Sequence, residues 1–163
     1  MKKSQKLKNQ FIQDYGEGYQ MFGLPKLMGR IIGLLLYSGK ALSLDEITEE
    51  LNVSKGPVSQ ITSRLRDHNL IKRIWVPGTR KDYYQAESEI FGNAFHNRMV
   101  LQKKNLLLAK KYQRLLKNEQ SEETDAFKVN MNEMAEFYEL MMEHYQRFYD
   151  EWMNRNNKAA QAG

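Results

Sequence analysis

At 163 residues, with a hydrophobic fraction of 41% and a net charge of +5, the chain suits one domain, or one small domain with an extension, and is too apolar for wholesale disorder. It has no cysteine, which excludes disulfide and thiolate–metal frameworks and suits a reducing, cytoplasmic setting. The basic start MKKSQKLKNQF lacks the apolar run of a signal peptide, and the apolar stretch from Ile31 to Tyr37 is too short to span a bilayer, so no membrane association is expected.

Leu7, Phe11, Tyr15, Tyr19 and Phe22 recur at helical spacing and predict a first helix within an N-terminal segment 1–24. Gly23 and Pro25 punctuate it, and Pro25 suits the opening of a second helix that reaches about Tyr37. Leu27, Met28, Ile31, Leu34 and Leu35 read as its core face, with Gly29 and Gly33 letting a neighbour approach closely. Ser43 with Glu46 three residues on is a capping-box pattern, opening a third helix from Leu44 to Leu51. After a tight Asn52–Val53–Ser54 turn, Ser54 is placed to cap a fourth helix, Lys55 to His68, with Pro57 in its first turn. Val58, Ile61 and Leu65 form the inward face of that helix. Ile71 to Val76 and Lys81 to Gln85 predict two strands paired around Pro77–Gly78–Thr79–Arg80.

Residues 25–86 thus read as a helix-turn-helix with a basic hairpin attached, a winged helix. Residues 87–154 carry two long helices, followed by a frayed tail over 155–163. The first of these, about Ser88 to Asn118, lines up Phe91, Phe95, Met99, Leu106, Ala109, Tyr112 and Leu116 on one side, and polar residues 118–124 make the joint. In the second, Phe127, Met131, Met134, Tyr138, Met141, Tyr145, Phe148 and Trp152 follow one another at alternating steps of four and three. This heptad seam is about 38 Å long at 1.5 Å per residue. So long a seam wants a partner, and a second copy in a C2 homodimer is the simplest one, with the N-terminal helix joining the interface. The alternative is a hairpin that folds back on its own subunit. Methionine and aromatics in place of Leu and Ile favour irregular packing or an adaptable pocket over a strict zipper. The expected fold class is mainly α, a winged helix-turn-helix with a small β-hairpin wing and long C-terminal dimerisation helices.

Charge is distributed unevenly. Residues 54–84 hold seven Lys or Arg against Asp67 and Asp82; residues 85–118 hold seven against two acids; from Glu119 onward ten acids face four bases. A basic middle beside an acidic end points to a surface facing a polyanion and another that stays away from it. The outward face of the fourth helix offers the small, polar and basic side chains that major-groove reading requires: Ser54, Lys55, Ser59, Gln60, Ser63 and Arg64. Gln60 suits adenine, Lys55 and Arg64 suit guanine or phosphate, and Ser54 and Ser59 suit phosphate. On the hairpin, Arg73, Arg80 and Lys81 are placed to follow a flanking minor groove or the backbone, with Asp82 able to orient one of the arginines. Trp75 is expected to pack the wing against the body. A dimer would hold two such reading heads at fixed spacing on a pseudo-palindromic site in double-stranded DNA.

The runs Gly23-Leu24-Pro25-Lys26-Leu27-Met28-Gly29-Arg30-Ile31-Ile32-Gly33-Leu34-Leu35, Leu42-Ser43-Leu44-Asp45-Glu46-Ile47, Ser54-Lys55-Gly56-Pro57-Val58-Ser59 and Arg73-Ile74-Trp75-Val76-Pro77-Gly78-Thr79-Arg80-Lys81 resemble the GbsR-like branch of the MarR superfamily. The resemblance covers about residues 10–90; the C-terminal helices match mainly in layout, and Pro57 stands where a small residue such as Ser or Thr is expected. It implies a dimeric winged-helix transcriptional regulator, mostly a repressor, associated with osmoprotectant uptake or with glycine betaine synthesis from choline. It also implies an effector pocket between winged helix and dimerisation helices, for which Tyr15, Tyr19, Phe22, Phe91, Phe95 and Tyr138 are the candidate walls. Aromatic walls favour quaternary ammonium compounds through cation–π attraction, and core packing explains the same residues as well.

Catalytic and cofactor signatures are missing from the sequence. His68, His96 and His144 have no metal spacing, there is no Walker loop, Gly16-Glu17-Gly18 is no dinucleotide fingerprint, and no serine has a His–Asp arrangement. No enzyme, cofactor or metal is expected. An RNA-binding winged helix and a non-catalytic protein-interaction scaffold stand as the alternatives.

Overall fold

The computed structural model describes residues 3–119 and 121–161. Of the segments expected from sequence, positions 1, 2, 120, 162 and 163 lie outside the described residues. The chain divides into two compact units, Met1–Asn93 and Ala94–Gly163.

In the first unit, helix α1 (Lys3–Met21) is followed by α2 (Lys26–Ser38). Gly29 lets them cross closely, since a Cβ on it would lie 2.5 Å from the Tyr15 carbonyl oxygen and 2.8 Å from Gly16 Cα. Gly39, in the left-handed region at φ 64°, ends α2 and donates its N–H to the Leu35 carbonyl. Strand β1 (Leu42–Ser43), not expected from sequence, leads into α3 (Leu44–Leu51). The capping box forms as expected: Ser43 Oγ accepts from Glu46 N–H at 3.2 Å, and Glu46 Oε2 accepts from Ser43 N–H at 2.7 Å. Asn52 at φ 50° turns the chain toward α4 (Lys55–Asp67).

Ser54 is the residue preceding α4, yet its side chain makes no capping hydrogen bond, unlike the expectation. The inward face also differs by one residue: Val58, Thr62 and Leu65 are buried, while Ile61 is only half-buried. Thr62 tolerates burial because its hydroxyl donates to the Ser59 carbonyl oxygen at 3.0 Å. Around these residues Ile31, Ile32, Leu34 and Leu35 of α2 and Ile47 of α3 complete the core.

Strands β2 (Ile71–Ile74) and β3 (Tyr83–Ala86) make the hairpin, with β1 on the outer side of β3. Register runs from Ile71 opposite Ala86 to Ile74 opposite Tyr83. The strands are shorter than expected, so the wing loop spans residues 75–82. Pro77 has no N–H for a ladder, Gly78 turns at φ 80°, and Lys81 gives its N–H to Thr79 Oγ1 at 3.1 Å. Asn93 Nδ2 donates to the Asn69 carbonyl at 2.8 Å, fixing the start of α5 (Ile90–Leu115) against the end of α4.

In the second unit, the rest of α5 and a short 3₁₀ turn (Leu116–Asn118) precede α6 (Glu122–Gln161), which runs past Asn154, where the sequence placed its end. The two helices pair as an antiparallel hairpin. Tyr112 meets Phe127 at 5.6 Å between ring centroids, Asn105 Nδ2 donates to Tyr138 Oη at 3.1 Å, and Phe95 meets Tyr145 at 5.1 Å and Phe148 at 4.8 Å. Four of the eight seam residues, Phe127, Tyr138, Tyr145 and Phe148, thus face α5 of their own chain, whereas the sequence pattern assigns the seam to subunit pairing. Heptad spacing marks a face that wants a helix without saying whose helix it is. No helix among the described residues is long and apolar enough to cross a membrane.

Candidate nucleic-acid interface

Helix α4 buries one stripe against α2 and α3, and this stripe leaves Ser54, Lys55, Ser59, Gln60, Ser63 and Arg64 all exposed. Arg73, Arg80 and Lys81 on the hairpin are exposed as well. All nine candidates are therefore accessible side chains, set on a rigid helix and on a wing that the three-stranded sheet ties down. Arg66, not singled out from sequence, adds an exposed base in the last turn of α4.

Their electrostatic states differ in a way the sequence did not disclose. Asp45, in the first turn of α3, holds two of the lysines: its Oδ1 lies 3.1 Å from Lys55 Nζ and its Oδ2 lies 3.0 Å from Lys81 Nζ. Recognition helix and wing are thus bridged by one carboxylate. Hydrogen bonds from Lys81 and then Lys55 hold the Asp45 carboxyl below its ordinary range, and the same contact raises Lys81. Arg73 pairs with Asp82 at 2.5 Å, the orienting role expected for that acid. Arg64 and Arg80 make no ion pair among the described residues, so their guanidinium groups are available to an incoming anion. Trp75 corrects an expectation outright. It is 79% exposed, not packed against the body.

The six effector candidates fall into separate settings. Tyr15 and Tyr19 lie ring to ring at 5.7 Å on α1; burial raises both phenols, with Tyr15 adding to the rise at Tyr19, which is pushed up to about 12. Phe22 and Phe91 are exposed, Phe95 packs on Tyr145 and Phe148, and Tyr138 accepts from Asn105. A cleft of 620 Å³ in the first unit is lined by other residues, among them Lys8, Tyr37, Lys40, Glu46, Glu49 and Glu50. No cluster of three or more His, Cys, Asp or Glu placed to hold a metal occurs among the described residues.

No family model matches the chain. Over 152 residues it is 27% identical to YvaV of Bacillus subtilis, assigned as an HTH-type transcriptional regulator, covering 89% of this chain and 82% of that one. Over 80 residues it is 31% identical to the HTH-type transcriptional repressor GbsR of the same organism, covering 49% of this chain and 44% of GbsR. The crystal structure of a transcriptional regulator superposes with a TM-score of 0.75 at 21% identity, covering 90% of this chain and 98% of that one, a likeness of fold. The chain thus shares a winged-helix fold with a solved transcriptional regulator and partial sequence likeness with helix-turn-helix transcriptional regulators. The match to GbsR spans less than half of either chain. In this protein the features missed from sequence are Asp45, Arg66 and the exposure of Trp75. The spacing of Asp45 from Lys55, ten residues with a turn between, was the one available signal.

Proposed function

We propose that this protein is a non-catalytic transcriptional regulator that binds double-stranded DNA as a homodimer, acting as a ligand-responsive repressor. The observation that carries the reading is the accessible set on α4 and the wing, above all Arg64 and Arg80, which have no ion pair among the described residues. Ser59, Gln60 and Ser63 supply hydrogen-bonding side chains beside Arg64 on the same exposed helix face. A dimer holding two reading heads at fixed spacing suits a pseudo-palindromic operator, and the resemblance to the GbsR-like branch of the MarR superfamily points to genes of osmoprotectant (choline or glycine betaine) uptake or synthesis. The effector is then a quaternary ammonium compound. Tyr15 and Tyr19, already ring to ring, are the best-supported part of its aromatic wall.

Exposed apolar residues support pairing of two copies through the second unit. Leu101, Leu108 and Leu115 recur every seven residues along α5 at 46–60% exposure, and Val129, Phe137 and Leu140 on α6 are 58–63% exposed. This face is open to a partner beside the seam, where Phe127 and Phe148 also stay 38% and 54% exposed.

The deciding experiment measures binding to duplex fragments from the neighbouring promoter region across a salt series. Replacing Arg64 and Arg80 by Ala is expected to weaken binding and to lower the salt slope by about one for each phosphate left without its arginine. Unchanged affinity and slope would falsify the regulator reading.

A further inference from the structure

We propose that Trp75 is a DNA-contacting residue that enters the minor groove and favours A·T pairs there, an inference that rests on the DNA-binding reading above. Trp75 follows directly on the last residue of β2 and opens the wing loop. A side chain this large and apolar is usually well buried, yet here it is 79% exposed. Its surroundings are basic: Arg73 lies two residues before it, and Arg80 and Lys81 close the same loop. Arg73 is paired with Asp82 at 2.5 Å and Lys81 with Asp45 at 3.0 Å, which leaves Arg80 as the base of this loop with no ion pair among the described residues. An exposed indole on the same loop as that arginine fits a partner that combines anionic edges with an apolar interior.

The groove of a duplex has that combination. Phosphates line its rims for the arginines and the lysine, while sugar faces and base edges line its floor. The indole N–H is a donor with no acceptor role, and it has no hydrogen bond among the described residues. The minor-groove floor at A·T pairs presents only acceptors, adenine N3 and thymine O2, whereas a G·C pair adds the guanine amino group, a competing donor. Apolar side chains also serve as wedges between base steps there. Both properties of the indole point to the same groove, and its N–H points to A·T pairs there.

The test uses the protein's second tryptophan. Trp152 is half-buried on α6 with its Nε1 out of solvent, so the Trp152→Phe variant leaves Trp75 as sole reporter. This variant is titrated with two labelled duplexes, one with an A·T tract and one G·C-rich, reading duplex anisotropy and, with unlabelled copies, tryptophan emission. On binding, Trp75 emission should be quenched and shielded from acrylamide. Trp75→Ala should bind the A·T duplex about tenfold more weakly and lose its preference over the G·C duplex, with the salt slope unchanged because no charge is removed. Binding by anisotropy with unaltered, acrylamide-accessible emission overturns this inference alone. No binding to either duplex overturns the DNA-binding reading and this inference with it. If Trp152→Phe fails to fold, the emission difference between wild type and Trp75→Phe gives the same readout.

Discussion

Asp45 and Lys81 stand 3.0 Å apart, carboxylate to ammonium, although 36 residues separate them in sequence. With Lys55 on the other carboxylate oxygen at 3.1 Å, Asp45 engages the two lysines that would otherwise be open to phosphates. Exposed pairs of this kind add little to stability, so their effect falls on binding. Replacing Asp45 by Asn releases both lysines without changing side-chain volume. Affinity for mixed-sequence duplex should rise several-fold at low salt, and the salt slope should steepen by about one for each further phosphate neutralised. Weaker binding by Asp45→Asn would instead make the carboxylate a strut that the interface needs.

Gly29 and Gly18 predict opposite outcomes for the same substitution. A methyl at Gly29 meets backbone atoms of α1 at 2.5 and 2.8 Å, which cannot swing aside as a side chain would. Gly29→Ala should cost about 1–3 kcal/mol by overpacking. Gly18, near the C-terminal end of α1, has nothing within 4 Å of the same methyl. Gly18→Ala should stabilise by up to about 1 kcal/mol through helix propensity. Thermal melts of both variants check the pair, and equal shifts of either sign would show that the close crossing of α1 and α2 is misplaced.

The capping box gives a pH dependence. Ser43 N–H, and after it the Ser43 hydroxyl, hydrogen-bond the Glu46 carboxylate and hold its pKa below the ordinary 4.5. A carboxyl depressed in the folded state contributes stability in full above the unfolded value, and the contribution is lost as pH falls through the folded one. Ser43→Ala should cost about 1 kcal/mol at neutral pH. Glu46→Gln should be less stable than wild type at neutral pH, and the gap should close as pH drops below about 4.5. A gap that persists undiminished in acid would remove the charge from the explanation.

The parts of this fold legible in the sequence are those that local chemistry decides. The Ser43–Glu46 box and the bounds of α3 follow from a cap and an apolar stripe, and Gly29 reads as a close approach because its helix is otherwise bulky. The first wing strand is two residues shorter than its pattern suggests. Alternation through Trp75 and Val76 looks like strand, whereas Pro77 and the Thr79 hydroxyl end the ladder early. The role of Asp45 is hidden in the sequence because ion pairing across 36 residues depends on how sheet and helices are stacked, which no local pattern encodes. The exposure of Trp75 is hidden for a related reason. Its apolar character argues for burial, and only the three-dimensional path of the loop leaves it in water.

The same ambiguity governs the pairing surface, and there two substitutions separate the possibilities. Met141 lies on the seam with Tyr138 and Tyr145, which meet α5 of the same chain. A charge at Met141 should therefore loosen the hairpin itself, lowering the melting temperature as well as any association. Leu108 belongs to the other face and is 46% exposed. Leu108→Asp should keep the helical content of the hairpin while shifting the chain from dimer to monomer at micromolar concentration in sedimentation velocity. Because a monomer offers one reading head in place of two, its affinity for a pseudo-palindrome should fall further than its affinity for a half-site. A Leu108→Asp protein that remains dimeric, beside a Met141→Asp protein that is folded and monomeric, would return the interface to the seam.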